Sequence, residues 1–266
     1  MHSHSVRAVL SLAWIIAATL LGAILGVLAA ALAPRVRPGQ VPILISYAIG
    51  TLLGTVFLEV LPHALERSAN AAAVTGTVLA GILLFFILEK LMLWRHRHDA
   101  SLGGHRADGQ PTHGRIATMV IVGDTFRNFV DGIIIAGAFS VSVPLGVVTA
   151  LALIAHEIPQ QIGDFLVVLR SGYSRQSALR FSLLSGAVMM LGGVIGYYGL
   201  QAVPAGVPLL LSIAAGSMLY VSVADLIPGL VRRHELSATV QQVLLIVAGV
   251  ATIVVVGQLV RSVADG

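Results

Sequence analysis

Long apolar runs, separated by short polar turns, dominate the amino-acid sequence. A helix that crosses the hydrocarbon core of a bilayer needs about 20 mostly apolar residues. The pattern therefore predicts eight transmembrane helices, numbered spans 1 to 8 in chain order. Their predicted ranges are 8–33, 42–64, 72–94, 116–140, 145–169, 177–201, 206–230 and 238–260.

The connections between the predicted spans are short, with one exception. Turns such as 33–42 and 203–208 contain the Pro and Gly residues that end helices. Residues 95–115 form a longer polar segment, with histidines at positions 96, 98, 105 and 113. This composition predicts a flexible loop within a single transmembrane domain that covers residues 1–266. The histidine spacing fixes no metal geometry, so a solvated loop and a metal-binding loop both remain open.

Composition supports the membrane assignment. Of the 266 residues, 57% are hydrophobic and only 11% are charged, whereas about a quarter of the residues in ordinary soluble domains are charged. The chain has no cysteine, which excludes disulfide bonds and thiolate metal sites. The arginines lie at the ends of apolar runs rather than in a basic patch, so the formal net charge of +4 does not indicate a nucleic-acid partner.

The same arginines predict the orientation of the spans, because cytoplasmic loops are enriched in Lys and Arg. Eight spans and an outside N-terminus place most basic residues in inner connections. Cleavage of span 1 as a signal peptide would reverse that ratio, and its apolar run is longer than the usual apolar region of about 7–15 residues. We expect a multi-pass protein of the cell membrane, by its residue usage a bacterial inner membrane, with both termini outside. The inner residues are Arg35, Arg37, Lys90, Arg95, Arg97, Arg106, Arg115, Arg170, Arg175, Arg180, Arg232 and Arg233, and the outer ones are Arg7, Arg67 and Arg261.

A small set of polar side chains lies within the apolar spans. Ionised groups at mid-membrane cost at least about 2.5–3.5 kcal/mol on insertion scales, so they need partners or a function. Those of span 4 recur at i, i+3, i+4 and i+7, and those of span 5 at i, i+4 and i+8, which predicts one stripe on each helix. The two stripes are expected to face each other. The set comprises Glu59, His63, Asp124, Arg127, Asn128, Asp131, His156, Glu157, Gln160, Gln161, Asp164 and Asp225.

Pro159 is expected to add a further metal-binding group to span 5. Proline has no N–H to donate to the carbonyl of Ala155, which predicts a kink and a free carbonyl beside His156 and Glu157. Carboxylates, imidazole, amide oxygens and a free carbonyl suit a divalent cation such as Zn²⁺ or Fe²⁺. The stripes therefore predict a metal site within the membrane.

Four segments resemble a known family. They read FLEVLPHAL (57–65), GDTFRNFVDG (123–132), HEIPQQIGDF (156–165) and AAGSMLYVSVADLIPGL (214–230). Together they resemble the ZIP (Zrt/Irt-like) divalent-metal transporters over nearly the whole chain. The resemblance implies an all-α membrane protein of eight helices, in which spans 1–3 and 6–8 form an inverted repeat around spans 4 and 5. It also implies a His-containing cytoplasmic loop after span 3, outside termini and a homodimer.

The resemblance further implies a transporter rather than an enzyme, with a metal site on spans 4 and 5 and an elevator-type movement. The expected cargo is Zn²⁺, carried into the cytoplasm, with Fe²⁺, Mn²⁺ and Cd²⁺ left open. Carried over position by position, the metal ligands are Asn128, Asp131, His156, Glu157 and Gln160. Residues expected along the pathway or in the surrounding polar network are Glu59, His63, Asp124, Arg127, Asp164 and Asp225.

Two places depart from the family pattern. Arg127 stands where the span 4 motif usually has histidine, and Gln160 and Gln161 stand where span 5 often has His-Glu. Arginine stays protonated and cannot bind a metal. Its charge would also repel a second cation, by about 4 kcal/mol for unit charges 4 Å apart at an effective dielectric constant of 20. We therefore expect a mononuclear site in place of the binuclear one often found in the family, with the guanidinium near Asp131 or Glu157.

Three other interpretations remain open on the sequence. Arg127 is three residues after Asp124 and four before Asp131, so these side chains could form a salt-bridge network without metal. The protein would then be ZIP-like with altered or lost transport. A second interpretation is an intramembrane metal-dependent hydrolase, although no nucleophile or oxyanion arrangement accompanies His156 and Glu157. A non-transporting membrane scaffold is the third.

Overall fold

The computed structural model describes residues 2–37, 39–68, 70–102, 112–230 and 236–265. Within these ranges the chain is helical almost throughout and contains no β-strand, which confirms the all-α prediction. Six of the predicted spans are single α-helices. Spans 1, 3, 4, 5, 6 and 8 cover His2–Leu32, Ala71–Leu102, Thr112–Val141, Val143–Arg170, Arg175–Ala202 and Leu236–Asp265.

Spans 2 and 7 are interrupted helices. Span 2 consists of the α-helix Val41–Thr55, a π-helical turn at Val56–Val60 and the α-helix Leu61–Glu66. Span 7 has the same sequence of elements, over Val207–Tyr220, Val221–Leu226 and Ile227–Leu230. Short π-helical turns inside α-helices are rare and occur often at functional sites. The apolar pattern of the two spans, in which these turns contain the single carboxylates Glu59 and Asp225, did not predict them.

The connection between spans 3 and 4 is shorter than the predicted loop 95–115. Span 3 continues as a helix to Leu102 and span 4 begins at Thr112. A helix that is already nucleated can extend beyond its apolar run, so the change from apolar to polar residues misplaced both boundaries. Residues 103–111, including His105, lie outside the described residues, as do the side chains of His96, His98 and His113.

Seven helices of the described ranges are long and apolar enough to cross a membrane. Span 4 is not among them, because its polar stripe lowers its hydropathy. It packs against spans 5 and 6 in the interior, whereas spans 3 and 8 lie at the periphery and expose many Leu and Val side chains. The chain is thus a multi-pass membrane protein whose most polar membrane helix is largely covered by others in its second half, while Val122 and Phe126 of its first half are exposed.

Close glycine contacts divide the spans into two groups. A Cβ atom on Gly132 or Gly192 would overlap a carbonyl oxygen of the facing helix, so spans 4 and 6 meet backbone to backbone. Gly186 similarly lets span 6 approach span 1, and span 5 packs on spans 1 and 4. In the other group, Gly50 brings span 2 against span 8, and Gly216 brings span 7 against span 3. Part of the polar stripes, Asp124, Arg127, Gln160 and Asp164, lines a cavity whose other walls come from spans 2, 3 and 7 of the second group.

The two ends of the bundle differ in charge. The end at which spans 1 and 5 finish and span 6 begins carries Arg35, Arg37, Arg170 and Arg175, and the Arg175 guanidinium donates to the Ala31 carbonyl at 3.1 Å. This end is called the arginine-rich end below. The opposite end includes the close of spans 2, 4 and 6.

Candidate metal site

Three side chains that offer metal ligands converge between spans 4 and 5. Asp131, His156 and Glu157 each supply an atom, and these atoms lie within 4.8 Å of one another. His156 Nε2 is 3.9 Å from Asp131 Oδ2. The three residues are almost completely buried, with exposed fractions of 5%, 1% and 4%. They are called the carboxylate–histidine trio below.

Each member of the trio has an atom without a hydrogen-bond partner among the described residues. These atoms are Asp131 Oδ2, both ring nitrogens of His156, and Glu157 Oε2. Leaving a buried polar atom unpaired costs about 1–3 kcal/mol, and most such atoms in proteins are paired. Unpaired atoms on three residues in one place therefore indicate a ligand. Imidazole nitrogen and carboxylate oxygen are common Zn²⁺ ligands, so the groups present suit that cation.

The helical spacing explains how the chain builds this trio. His156 and Glu157 are adjacent in span 5, and Asp131 faces them from span 4. Span 5 continues as a helix through Pro159 to Arg170, and the predicted kink and free carbonyl at Ala155 stay predictions. Span 1 closes one side of the site, where a Cβ atom on Gly26 would lie 3.5 Å from Gln161 Cγ and 3.8 Å from Glu157 Cγ. The glycine leaves room for the polar side chains of span 5.

A second polar cluster surrounds Asp124, toward the arginine-rich end of span 4. Its carboxylate accepts hydrogen bonds from Asn128 Nδ2 at 3.1 Å, Gln160 Nε2 at 2.9 Å and Gln161 Nε2 at 3.0 Å. The hydroxyl of Ser185 also donates to it. These five residues, from spans 4, 5 and 6, are called the Asp124 cluster below. In contrast with the trio, its carboxylate is saturated with hydrogen bonds.

Two amides connect the cluster to the trio. Gln161 Nε2 donates to Glu157 Oε1 at 2.7 Å as well as to Asp124, and Asn128 Nδ2 lies 3.1 Å from the same Glu157 oxygen. One oxygen of Glu157 is therefore held by amides, while the other has no partner among the described residues.

A cavity of about 410 Å³ adjoins the Asp124 cluster. Its walls come from spans 2, 3, 4, 5 and 7, in their halves nearer the arginine-rich end. Tyr220 is on one wall, where its hydroxyl donates to Glu89 Oε2 at 2.6 Å. The trio is not part of the lining. The charged and amide residues that line the cavity are Glu89, Asp124, Arg127, Gln160 and Asp164.

Two predicted pathway residues, Glu59 and His63, lie near the opposite end of the bundle. Arg261 of span 8 donates to both Glu59 carboxylate oxygens, at 2.9 and 3.1 Å, and Gly257 leaves room for this pair. His63 Nδ1 lies 2.7 Å from the Glu59 carbonyl oxygen. Glu59 is thus the buried half of an ion pair between spans 2 and 8. The charge count that predicted the orientation of the spans treated Arg261 only as a charge outside the membrane. It did not predict the ion pair with Glu59.

The structure brings the predicted ligands together in one polar region. Asn128 and Gln160 direct their amide nitrogens at carboxylates, and their roles as ligands stay predictions. Arg127 is half-buried beside the cavity, and its contact with Asp131 or Glu157 stays a prediction. The Asp225 side chain lies outside the described residues. Ser185 was not among the predicted site residues. A serine in a membrane helix usually donates its hydroxyl to its own backbone, so the residue type alone does not indicate a place in a polar cluster.

Known proteins similar to this chain have zinc transporter names. A model of the family described as "ZIP Zinc transporter" matches residues 95–257. Zinc transporter ZIP13 of Pongo abelii is 31% identical over 179 residues, 66% of this chain and 51% of that protein. Zinc transporter ZIP13 of Homo sapiens is 28% identical over 212 residues, 66% and 57% of the two chains. Zinc transporter ZIP10 of Homo sapiens is 34% identical over 139 residues, 51% and 17%. The matched region spans about half the length of the ZIP13 relatives.

Proposed function

Since the chain belongs to the ZIP zinc transporter family, we propose that it carries Zn²⁺ across the membrane through the carboxylate–histidine trio. The observation that supports this most strongly is the set of buried atoms on Asp131, His156 and Glu157 that have no hydrogen-bond partner among the described residues. An imidazole and two carboxylates offer three ligands to a tetrahedral cation and leave a position open for exchange. An enzymatic role is not proposed, because the named relatives are transporters.

We further propose that the site holds one metal ion at a time. Its three buried carboxylates are Asp124, Asp131 and Glu157. The guanidinium near them is that of Arg127, a half-buried residue in the cavity wall. When all are ionised, two negative charges remain, and a single divalent cation balances them. A second cation would meet the charge of Arg127, at about 4 kcal/mol for unit charges 4 Å apart at a dielectric constant of 20. Arg127 thus replaces the second metal ion.

The proposed direction of transport is toward the arginine-rich end, which the positive-inside rule assigns to the cytoplasm. The cavity beside Asp124 and Gln160 lies on that side. On the other side of the trio, Val56, Ile135 and Leu153 are at most 1% exposed. A site with a cavity on one side and dense apolar packing on the other is what alternating access requires.

The proposed movement is of spans 1, 4, 5 and 6 relative to spans 2, 3, 7 and 8. The backbone contacts at Gly132 and Gly192 hold spans 4 and 6 together as one body. Spans 2 and 7 support an inverted repeat, because both begin with Val-Pro and pass through a π-helical turn before a second proline. Matching residues at equal spacing are Ser46 and Ser212, Gly50 and Gly216, Glu59 and Asp225, and Pro62 and Pro228.

Zinc uptake by liposomes that contain the purified full chain tests the proposal. A zinc-sensitive dye inside the vesicles should report uptake that protein-free vesicles do not show. His156→Ala should lose that uptake at the same protein content, because the buried site offers no replacement nitrogen ligand. Glu66→Ala, at an exposed residue of span 2, is the control and should transport normally. Folded parent protein without zinc uptake would contradict the proposed function.

A further inference from the structure

Gln161 uses both of its amide protons on carboxylates. One carboxylate is Asp124, whose Oδ2 is 3.0 Å from Nε2, and the other is Glu157, whose Oε1 is 2.7 Å away. An amide NH₂ has two protons, so the group is fully used. Gln161 is 2% exposed, which leaves it little access to competing water. The side chain therefore acts as a fixed bridge between the two acids.

Asp124 fixes the direction of this bridge. It is 8% exposed and also accepts hydrogen bonds from Asn128, Gln160 and Ser185. Hydrogen bonds to an ionised acceptor are roughly twice as strong as neutral ones. The carboxylate thus favours the amide orientation in which nitrogen, rather than oxygen, faces Glu157.

The bridge leaves Glu157 with one oxygen for a metal ion. Oε1 accepts from Gln161 and lies within hydrogen-bond distance of Asn128, whereas Oε2 has no partner among the described residues. A carboxylate held in this way binds a cation through one oxygen and not through both. Single-oxygen ligation keeps the coordination number low, as tetrahedral Zn²⁺ prefers. Mn²⁺ prefers six oxygen-rich ligands and gains more from a carboxylate that binds through both oxygens.

We propose that Asp124 and Gln161 are positioning residues that make the site selective for Zn²⁺ over Mn²⁺ by holding Glu157 in single-oxygen ligation. This inference rests on the proposed function, because it assumes that the trio binds the transported ion. It adds the reason for the choice of cation, which lies in side chains that do not bind the metal.

Binding of Zn²⁺ and of Mn²⁺ to the detergent-purified full chain, measured separately by calorimetry, tests the inference. Groups that hydrogen-bond to a metal ligand typically change metal affinity about 10- to 100-fold when mutated. Gln161→Leu should lower the ratio of Zn²⁺ affinity to Mn²⁺ affinity by about tenfold or more, because Glu157 Oε1 keeps only the longer contact with Asn128 and becomes more available to the larger ion. Asp124→Asn should lower the ratio in the same direction.

The double variant distinguishes positioning from general damage. If Asp124 acts through Gln161, then Asp124→Asn should change the ratio little in a chain that already carries Gln161→Leu. Gln241→Leu, at an exposed glutamine of span 8, is the matched control and should keep the parental ratio. If Asp124→Asn does not fold, Gln161→Leu with its control still decides the outcome.

Two results would overturn the inference while leaving zinc transport intact. The first is a ratio of Zn²⁺ affinity to Mn²⁺ affinity in Gln161→Leu that equals the parental ratio. The second is a change of this ratio in the double variant that equals the product of the changes in the two single variants. A parent protein that binds no Zn²⁺ at all would instead overturn the proposed function, and this inference with it.

Discussion

The carboxylate–histidine trio and the Asp124 cluster lie on the same two spans, but they satisfy their polar atoms in opposite ways. Asp124 accepts hydrogen bonds from four side chains, while every member of the trio has an unpaired buried atom. Asp124 in the cluster and Asp131 and Glu157 in the trio are all buried carboxylates, so residue type alone does not distinguish them. The difference separates a carboxylate that is held by the protein's own donors from carboxylates that keep an oxygen available for the proposed metal ion.

The largest expected effect comes from removing a member of the trio. Asp131→Ala and Glu157→Ala should each reduce zinc uptake to the level of protein-free vesicles, because the neighbouring Asp124 carboxylate already accepts four side-chain hydrogen bonds and is not free to replace the lost oxygen. Both proteins should still be recovered from the membrane in parental amounts. Uptake per inserted protein is the quantity to measure. Near-parental uptake by either variant would exclude that residue from the site.

A smaller effect, and a change of stoichiometry, is expected at Arg127. Arg127→His should retain transport and bind two Zn²⁺ ions, because the substitution removes a positive charge and adds a nitrogen ligand. Arg127→Ala should transport less than Arg127→His, because it leaves the buried carboxylates short of positive charge. Elemental analysis after gel filtration counts the metal ions per chain. Two tightly bound ions in the parent would contradict the role given to Arg127.

Ser185 should have a weaker effect on zinc than Gln161, although both donate to Asp124. Its hydroxyl does not contact Glu157 in the described structure, so Ser185→Ala should change zinc affinity less than Gln161→Leu does. Its loss should lower the stability of the bundle by about 1.5–3 kcal/mol, the usual value of a hydrogen bond to a charged group. Thermal unfolding in detergent and zinc titration of the same sample provide the two numbers. Equal losses of zinc affinity would remove the distinction between the two donors.

The smallest effect on zinc binding is expected at the Glu59–Arg261 pair. Arg261→Gln should destabilise the packing of spans 2 and 8, because the buried Glu59 carboxylate loses its two charged hydrogen bonds. Zinc affinity should stay at the parental value, since neither residue belongs to the trio or the Asp124 cluster. Calorimetric titration would show this. A large loss of affinity in a folded variant would mean that Glu59 is coupled to the metal site.

Much of the fold could be predicted from the sequence. A helix that crosses a lipid bilayer needs a long apolar run, and such runs are visible in the sequence. The eight predicted spans all correspond to helical stretches. What the pattern could not give were features that depend on local backbone geometry or propensity. The π-helical turns at Val56–Val60 and Val221–Leu226 lie in mostly apolar sequence with one carboxylate each, and the helical continuation to Leu102 lies in polar sequence.

The site was predictable to the extent that helical spacing determines it. Periodicity placed Asp131 and His156 on facing stripes, where the structure has them. Contacts between distant parts of the chain were not predictable in this way: Arg261 reaches Glu59 across 202 residues, and Ser185 reaches Asp124 across 61. The sequence also identifies Gln161 without showing which way its amide points. The bridge that it makes between two carboxylates could therefore be seen only in the three-dimensional structure.

The most direct test of the central claim is the number of Zn²⁺ ions bound by the purified parent and by His156→Ala at equilibrium. Equilibrium dialysis at several zinc concentrations, with metal counted by elemental analysis, gives this number. The trio predicts one ion per chain in the parent and none in His156→Ala at concentrations that saturate the parent. Full occupancy in His156→Ala, or none in the folded parent, would contradict a zinc site built on Asp131, His156 and Glu157.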